Sequence, residues 1–236
     1  GSEMCIRDSL MGCNNSLPVA DEFLVPHTAP TNEYGSGLVS KERLVLKVKE
    51  KFFSFRGDFT VTDQAGEPFC KVHGTFFSMR QRVVIKDLDG KPIACVLGKM
   101  FSFSPAMFIY GVKPYYEGQQ PTSEKEDGLP LYAWAKVWKP FDMTPTYMIQ
   151  MAKGDDEYTS ATYETCDYKS WAPGVAAPRL AVVKGADKTK GGCCLIDRST
   201  FQFESANVYD VTIAPGIDPI LMIGLVICKD AIQERN

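Results

Sequence analysis

Between Ile220 and Cys228 the chain runs through nine residues without one polar side chain. Upstream of that run the apolar positions form short strand-like stretches separated by turn residues. The run predicts a helix over about 219–234, near the C-terminus. Asp218 is a good N-cap acceptor, and Pro219 suits the first turn, where its missing N–H would be unpaired anyway. A helix with no polar stripe must be surrounded by protein or by lipid. A bilayer span needs about 20 apolar residues, so the expected surround is the rest of the chain. Lys229, Asp230, Gln233, Glu234 and Arg235 predict that the last turns emerge into water.

The strand-like part repeats. Phe52-Phe53-Ser54-Phe55, Phe76-Phe77-Ser78-Met79 and Met100-Phe101-Ser102-Phe103 start 24 residues apart, and Asp63-Gln64-Ala65-Gly66-Glu67-Pro68 recurs at that offset as Asp87-Leu88-Asp89-Gly90-Lys91-Pro92. Val72-His73-Gly74 and Val96-Leu97-Gly98 keep the same spacing. Each unit reads as a hairpin. Phe59–Thr62 and Arg82–Lys86 are β-branched and aromatic. The Asp-x-x-Gly-x-Pro stretch is a turn, with Asp accepting backbone hydrogen bonds and Gly at positive φ. Phe69–Val72 and Ile93–Val96 return, and Gly74 or Gly98 is expected to bend the chain into the next Phe-Ser-Phe strand.

Weaker echoes follow at Phe141–Ile149 and Phe201–Val211. Leu131–Trp138, Tyr158–Tyr163, Pro178–Lys184 and Cys193–Asp197 are further strand candidates. About a dozen short antiparallel strands tend to close, because closure removes exposed edges. The fold expected is therefore mainly β, a closed antiparallel barrel filled by the 219–234 helix. Pro114–Pro130 is too polar for a core and reads as a mobile surface loop within one domain, residues 42–236.

Composition changes this picture little. The chain has 236 residues, 44% hydrophobic, with a net charge of −3, so one core is affordable and no strong basic excess points to nucleic acid. Eight cysteines without a regular framework or signal peptide suggest reduced thiols inside the cell. At the N-terminus Gly1-Ser2 resembles a tag scar and residues 3–9 a translated adaptor fragment, so residues 1–10 read as a non-native leader. Met11-Gly12-Cys13-Asn14-Asn15-Ser16 then fits the N-myristoylation pattern, with Gly12 acylated and Cys13 a palmitoylation site. Two acyl chains hold a membrane durably where one does not. Residues 11–41 read as a flexible tether, with Phe23-Leu24-Val25 pinned to the domain.

Residues 53–74 and 77–105, with the terminal Asp218–Ile232, together resemble the LURP-one-related family, grouped with tubby C-terminal domains and phospholipid scramblases. The resemblance spans about Leu44 to Gln233. It implies a 12-stranded barrel around a buried C-terminal helix. Tubby-type domains bind phosphoinositides through surface Lys and Arg, scramblases are membrane-associated and linked to calcium, and neither group is an established hydrolase or transferase. This chain departs from the compact pattern by its 114–130 insertion and long 152–200 region.

Candidate chemistry is sparse. His27 lies in the tether and His73 at an expected hairpin bend; a Cys–His nucleophile with Cys70 or Cys95 competes with purely structural roles. Cys70 and Cys95 differ in strand parity and are not expected to bridge. Cys193-Cys194 marks a strand start, and Cys228 reads as buried helix packing. Asp87-Leu88-Asp89-Gly90 imitates a calcium loop but lacks the later ligand series, so turn chemistry explains it better. No metal site, cofactor or catalytic residue is assigned. Arg80, Arg82 and Lys86 alternate and project from one strand face; Lys99, Lys136 and Lys139 join them if the barrel gathers those strands. The expected protein is a non-enzymatic, monomeric, lipid-binding or adaptor barrel, peripheral on the cytoplasmic face of a membrane, most simply the plasma membrane, when acylated and cytoplasmic otherwise. Its expected partners are anionic lipid, phosphoinositide above all, and other proteins, with no nucleic acid. Scramblase-like lipid transport and a soluble protein-interaction scaffold are the alternatives.

Overall fold

A computed structural model describes residues 20–28, 33–49, 58–75, 82–98, 106–140, 146–153, 166–171, 179–185, 191–198 and 208–233. A short helix, α1 (Ala20–Phe23), precedes six strands: β1 (Leu44–Lys49), β2 (Phe59–Asp63), β3 (Pro68–Thr75), β4 (Arg82–Lys86), β5 (Pro92–Gly98) and β6 (Ala106–Gly111). A small hairpin, β7 (Lys125–Glu126) and β8 (Leu129–Pro130), comes next. Then come β9 (Tyr132–Trp138), β10 (Met148–Met151), β11 (Tyr168–Trp171), β12 (Arg179–Lys184), β13 (Gly192–Arg198), β14 (Val208–Ile213) and α2 (Pro219–Gln233).

Twelve of the strands form one closed barrel, in the order β1-β14-β13-β12-β11-β10-β9-β6-β5-β4-β3-β2. Neighbours along the chain are neighbours in the wall, except that β7–β8 stands outside and β1 closes on β14. The repeat is visible in the register. Both β2–β3 and β4–β5 slip just before the turn, at Val61/Thr62 and at Ile85/Lys86. The turns are built alike: Asp63 Oδ1 accepts the N–H of Ala65 and Glu67, and Asp87 Oδ1 accepts that of Lys91. Gly66 and Gly90 sit at φ 88° and 87°, a left-handed region that favours glycine.

The helix fills the barrel. Pro219 to Ile232 are all buried, against inward residues such as Val61, Val83, Val96, Ile109, Val182 and Val211. Asp218 caps it as expected, its Oδ1 accepting the N–H of Ile220 at 2.9 Å. Gly224 faces β6, where a Cβ would meet Ile109 Cδ1 at 3.0 Å.

Several expectations change. The polar end of the helix emerges later than expected: Lys229 and Asp230 are buried, with Lys229 Nζ donating to Tyr209 Oη at 2.7 Å and to Gln233 Oε1 at 3.1 Å, while Gln233 is exposed and Glu234 and Arg235 lie outside the described residues. Gly74 and Gly98 do not bend the chain; they pair inside the wall with Val83 and Met107. His73 likewise lies within β3, opposite Val84. Strands β1, β6 and β11 were not foreseen. The Phe-Ser-Phe stretches and Tyr158–Tyr163 lie outside the described residues. Phe23 is pinned to the domain as expected, occupying the space where a Gly192 Cβ would sit, but the docking extends farther along the tether: Ser36 donates through N–H and Oγ to Asp218 at 2.8 and 2.7 Å.

The insertion is the largest difference. Residues 114–130 are tied to the wall rather than free. At its root Trp134 bulges out of the β6–β9 register and lays its ring over Gly111, with Nε1–H donating to Lys113 O at 2.8 Å. Farther along, Gln119 donates to Ala133 O, and Leu131 packs among the outward side chains Val84, Cys95, Leu97 and Tyr110. Asp127 (φ 48°) and Gly128 (φ 80°) make the two-residue turn of β7–β8.

Candidate functional site

The outer wall of β2, β3 and β4 carries the candidate site. Inward residues alternate with outward ones, so Thr60, Lys71, His73, Arg82 and Lys86 point away from the core formed by Val61, Cys70, Val72, Val83 and Ile85. The register places Lys71 directly opposite Lys86, with Thr60 opposite Lys71 on the other side. A pocket of about 450 Å³ lies here, lined by Lys71, His73, Lys86, Thr60, Asp58 and Gly90 among others.

Two like charges face to face across a strand pair repel. The fold spreads them. Lys71 Nζ donates to Leu88 O in the following turn at 2.6 Å, and Lys86 Nζ stands 3.6 Å from Asp127 Oδ2. His73 Nδ1 meets the Asp58 carboxylate at the pocket edge. Arg82, farther along β4, is held by the inserted hairpin: its Nε donates to Glu126 Oε2 at 2.8 Å, and its terminal nitrogen reaches Glu126 and the Lys125 carbonyl. Partial burial opposes its charge, but Cys95, Glu126 and Glu124 outweigh it and raise its pKa further.

The expected cations are thus only partly brought together. Arg82 and Lys86 do share one outward face of β4. They are four residues apart, about 13 Å at strand rise. Lys136 lies in the same cross-barrel row as Arg82, but Leu97 and Phe108 stand between them. Its Nζ sits over the Trp138 ring, 5.3 Å from the centroid. Lys139 follows the end of β9. Lys136 and Lys139 therefore do not converge on Lys86. Arg80 and Lys99 lie outside the described residues, as do Gly12 and Cys13. Lys71 was missed; its outward parity beside Val72 is the signal that marks it.

Among the described residues the thiols offer no ready nucleophile. Burial pushes Cys70 up to about 12, and Cys95 likewise to about 12 against the pull of Arg82. Cys70 faces the core and Cys95 the outer wall, and both are free, as their parity required. One Cys–His contact does occur, between Cys193 Sγ and His27 Nε2 at 3.4 Å, residues that nothing in the sequence pattern links. That thiol is pushed by burial to about 12 despite the opposing charge of Lys184, so it stays protonated at neutral pH. The Asp87 carboxylate is occupied by the turn amide of Lys91.

Comparison with known proteins supports the architecture. No curated protein matched the chain. A protein from Arabidopsis thaliana, known from its X-ray structure, shares the fold with a TM-score of 0.53 at 14% identity, over 85% of this chain and 98% of its own. A sequence model describing LURP-one-related proteins matches residues 44–230, which is nearly the whole barrel and its helix. The chain belongs to the LURP-one-related family.

Proposed function

We propose that the protein is a non-enzymatic barrel that binds a phosphate-bearing anion, a phosphoinositide headgroup, on the outer wall of β2–β4, and that it works peripherally at a membrane. The observation that carries this reading is the juxtaposition of Lys71 and Lys86 across β3 and β4 beside a 450 Å³ pocket. An anion between two facing ammonium groups converts a repulsive pair into two attractive ones. Thr60 and His73 add hydrogen-bonding groups at the rim. Arg82 extends the cationic face along β4. Acylation at Gly12 and Cys13 would hold the domain where such headgroups are concentrated. The protonated thiols support the non-enzymatic part of the reading. The enclosure of α2 weighs against lipid transport by that helix.

Vesicle flotation tests it. The full chain should co-float with phosphatidylcholine vesicles carrying phosphatidylinositol bisphosphate and stay behind with phosphatidylcholine alone. Lys71→Glu/Lys86→Glu should lose at least tenfold in affinity, since each cation near an anionic surface contributes about 1 kcal/mol and reversal doubles the change. Equal flotation of that variant removes this site from the reading. For the anchor, a chain beginning at Met11 should take up labelled myristate, and Gly12→Ala should abolish the uptake.

A further inference from the structure

The inserted hairpin carries two consecutive carboxylates, and both fall on β4. Glu126 is bound to Arg82, and Asp127 lies 3.6 Å from Lys86. These two basic side chains belong to the face assigned above to the anionic headgroup. The hairpin is small: it pairs Lys125 with Pro130 and Glu126 with Leu129, and backbone hydrogen bonds from Leu131 N–H to Glu124 O and from Thr122 N–H to Leu131 O extend it at the base. A ribbon of that size is not stable alone in water. Its tip also holds a non-glycine residue, Asp127, at positive φ, and leaves Leu129 exposed. What keeps the tip in place is its contact with the cations, while the root is secured separately by Trp134, Gln119 and Leu131.

We propose that the β7–β8 hairpin is an autoinhibitory strap, whose Glu126 and Asp127 carboxylates occupy Arg82 and Lys86 in place of the phosphate groups of the ligand. This rests on the headgroup reading and adds its regulation. A headgroup that reaches Lys71 and Lys86 competes first with Asp127, whose carboxylate is the more exposed and stands farther from its cation. Releasing Asp127 loosens the two-rung ribbon, and Glu126 then gives up Arg82. Binding is weakened by the work of displacing the strap, and the anchored root returns the strap when the anion leaves.

The test compares the full chain with Glu126→Gln/Asp127→Asn. Both changes keep side-chain size, and Asn tolerates positive φ, so the hairpin backbone is preserved; a thermal melt confirms folding. Glu22→Gln/Glu42→Gln removes the same charge from exposed positions away from the hairpin and controls for net charge. Affinity is read by flotation on phosphatidylcholine vesicles with phosphatidylinositol bisphosphate, and separately by calorimetry with soluble inositol trisphosphate, which distinguishes a lipid headgroup from a free phosphate. The strap variant should bind at least about fivefold tighter than the parent in both, the effect of one released cation, while the control variant shifts less. Hydrogen exchange across 124–131 in the parent should speed up when inositol trisphosphate is added. A parent that binds and a strap variant no tighter than the control overturns the strap and leaves the headgroup site standing. Absence of binding by every protein overturns both.

Discussion

At the residue scale, two glycines show how differently a missing side chain can matter. A Cβ on Gly111 would lie 1.9 Å from the Trp134 ring, which is locked by its hydrogen bond to Lys113 O. Gly111→Ala should therefore cost at least about 3 kcal/mol, the upper range for an overfilled core. A Cβ on Gly224 meets Ile109 less closely, with Cδ1 at 3.0 Å and Cγ2 at 3.3 Å, so that side chain has to give by only a few tenths of an ångström. There the gain in helix propensity, about 1 kcal/mol, offsets much of the crowding, so Gly224→Ala should change stability by less than about 1 kcal/mol. Urea unfolding of the two variants checks the contrast; equal losses would refute the packing described. Asp218 supplies a pH effect. Burial raises its pKa, although Ser36, Ile220 and Leu221 donate hydrogen bonds that pull it down. The folded state thus holds the proton more tightly than the unfolded chain. Its contribution is fully present below the usual carboxylate value and is lost as pH rises through the raised one. The stability of the parent relative to Asp218→Asn should accordingly fall with rising pH across that window, and a flat difference would exclude the effect. Neither glycine's constraint was legible beforehand, because each is set by a side chain far along the chain.

At the scale of elements, the hairpin repeat was the readable part. Gly66 and Gly90 are equivalent by repeat, by φ and by surroundings: a Cβ added at either position would meet no atom within 4 Å. Their substitution by Ala should therefore report backbone strain alone, about 1–2 kcal/mol at each site, and Asn should restore part of it. Unequal losses in thermal melts would mean that the two turns are not built alike. Other elements were hidden for physical reasons. Val84, Cys95 and Leu97 face outward yet are buried with Leu131, so β4 and β5 look apolar on both faces and parity gives no unique inside. Residues 114–130 looked free because their polar groups were counted without partners; those partners, Arg82 and the Ala133 carbonyl, sit on the wall. The Asp127-Gly128 dipeptide was the available hairpin signal. The candidate cationic face was half legible: alternation aligned Arg82 with Lys86 and parity could mark Lys71 as outward, but placing Lys71 opposite Lys86 required the β3–β4 register.

At the scale of the whole molecule, wall and filling depend on one another, and the order of the chain makes that dependence sharp. The last element, α2, contributes much of the core: Ile220 to Cys228 are buried inside the barrel. The wall also closes late, because β1 pairs with β2 early in the chain but finds its second partner only at β14, near the far end. Pairing of such distant segments is slow, since loop closure precedes the contacts that reward it. A chain ending at Ile217 keeps every strand of the wall and loses the helix. It would leave a ring of inward Val, Ile and Ala side chains around an empty lumen that water must enter or the wall must collapse to remove. Each large apolar side chain deleted from a core costs about 2–5 kcal/mol, and the helix carries several, against a total stability of about 5–15 kcal/mol for a domain. The truncated chain should therefore show no cooperative thermal transition and no fixed near-ultraviolet circular dichroism, and it should bind a hydrophobic dye that the full chain excludes. A cooperative melt with native-like near-ultraviolet signal would demonstrate a self-sufficient wall, and the helix would then have to be regarded as an occupant rather than as the core.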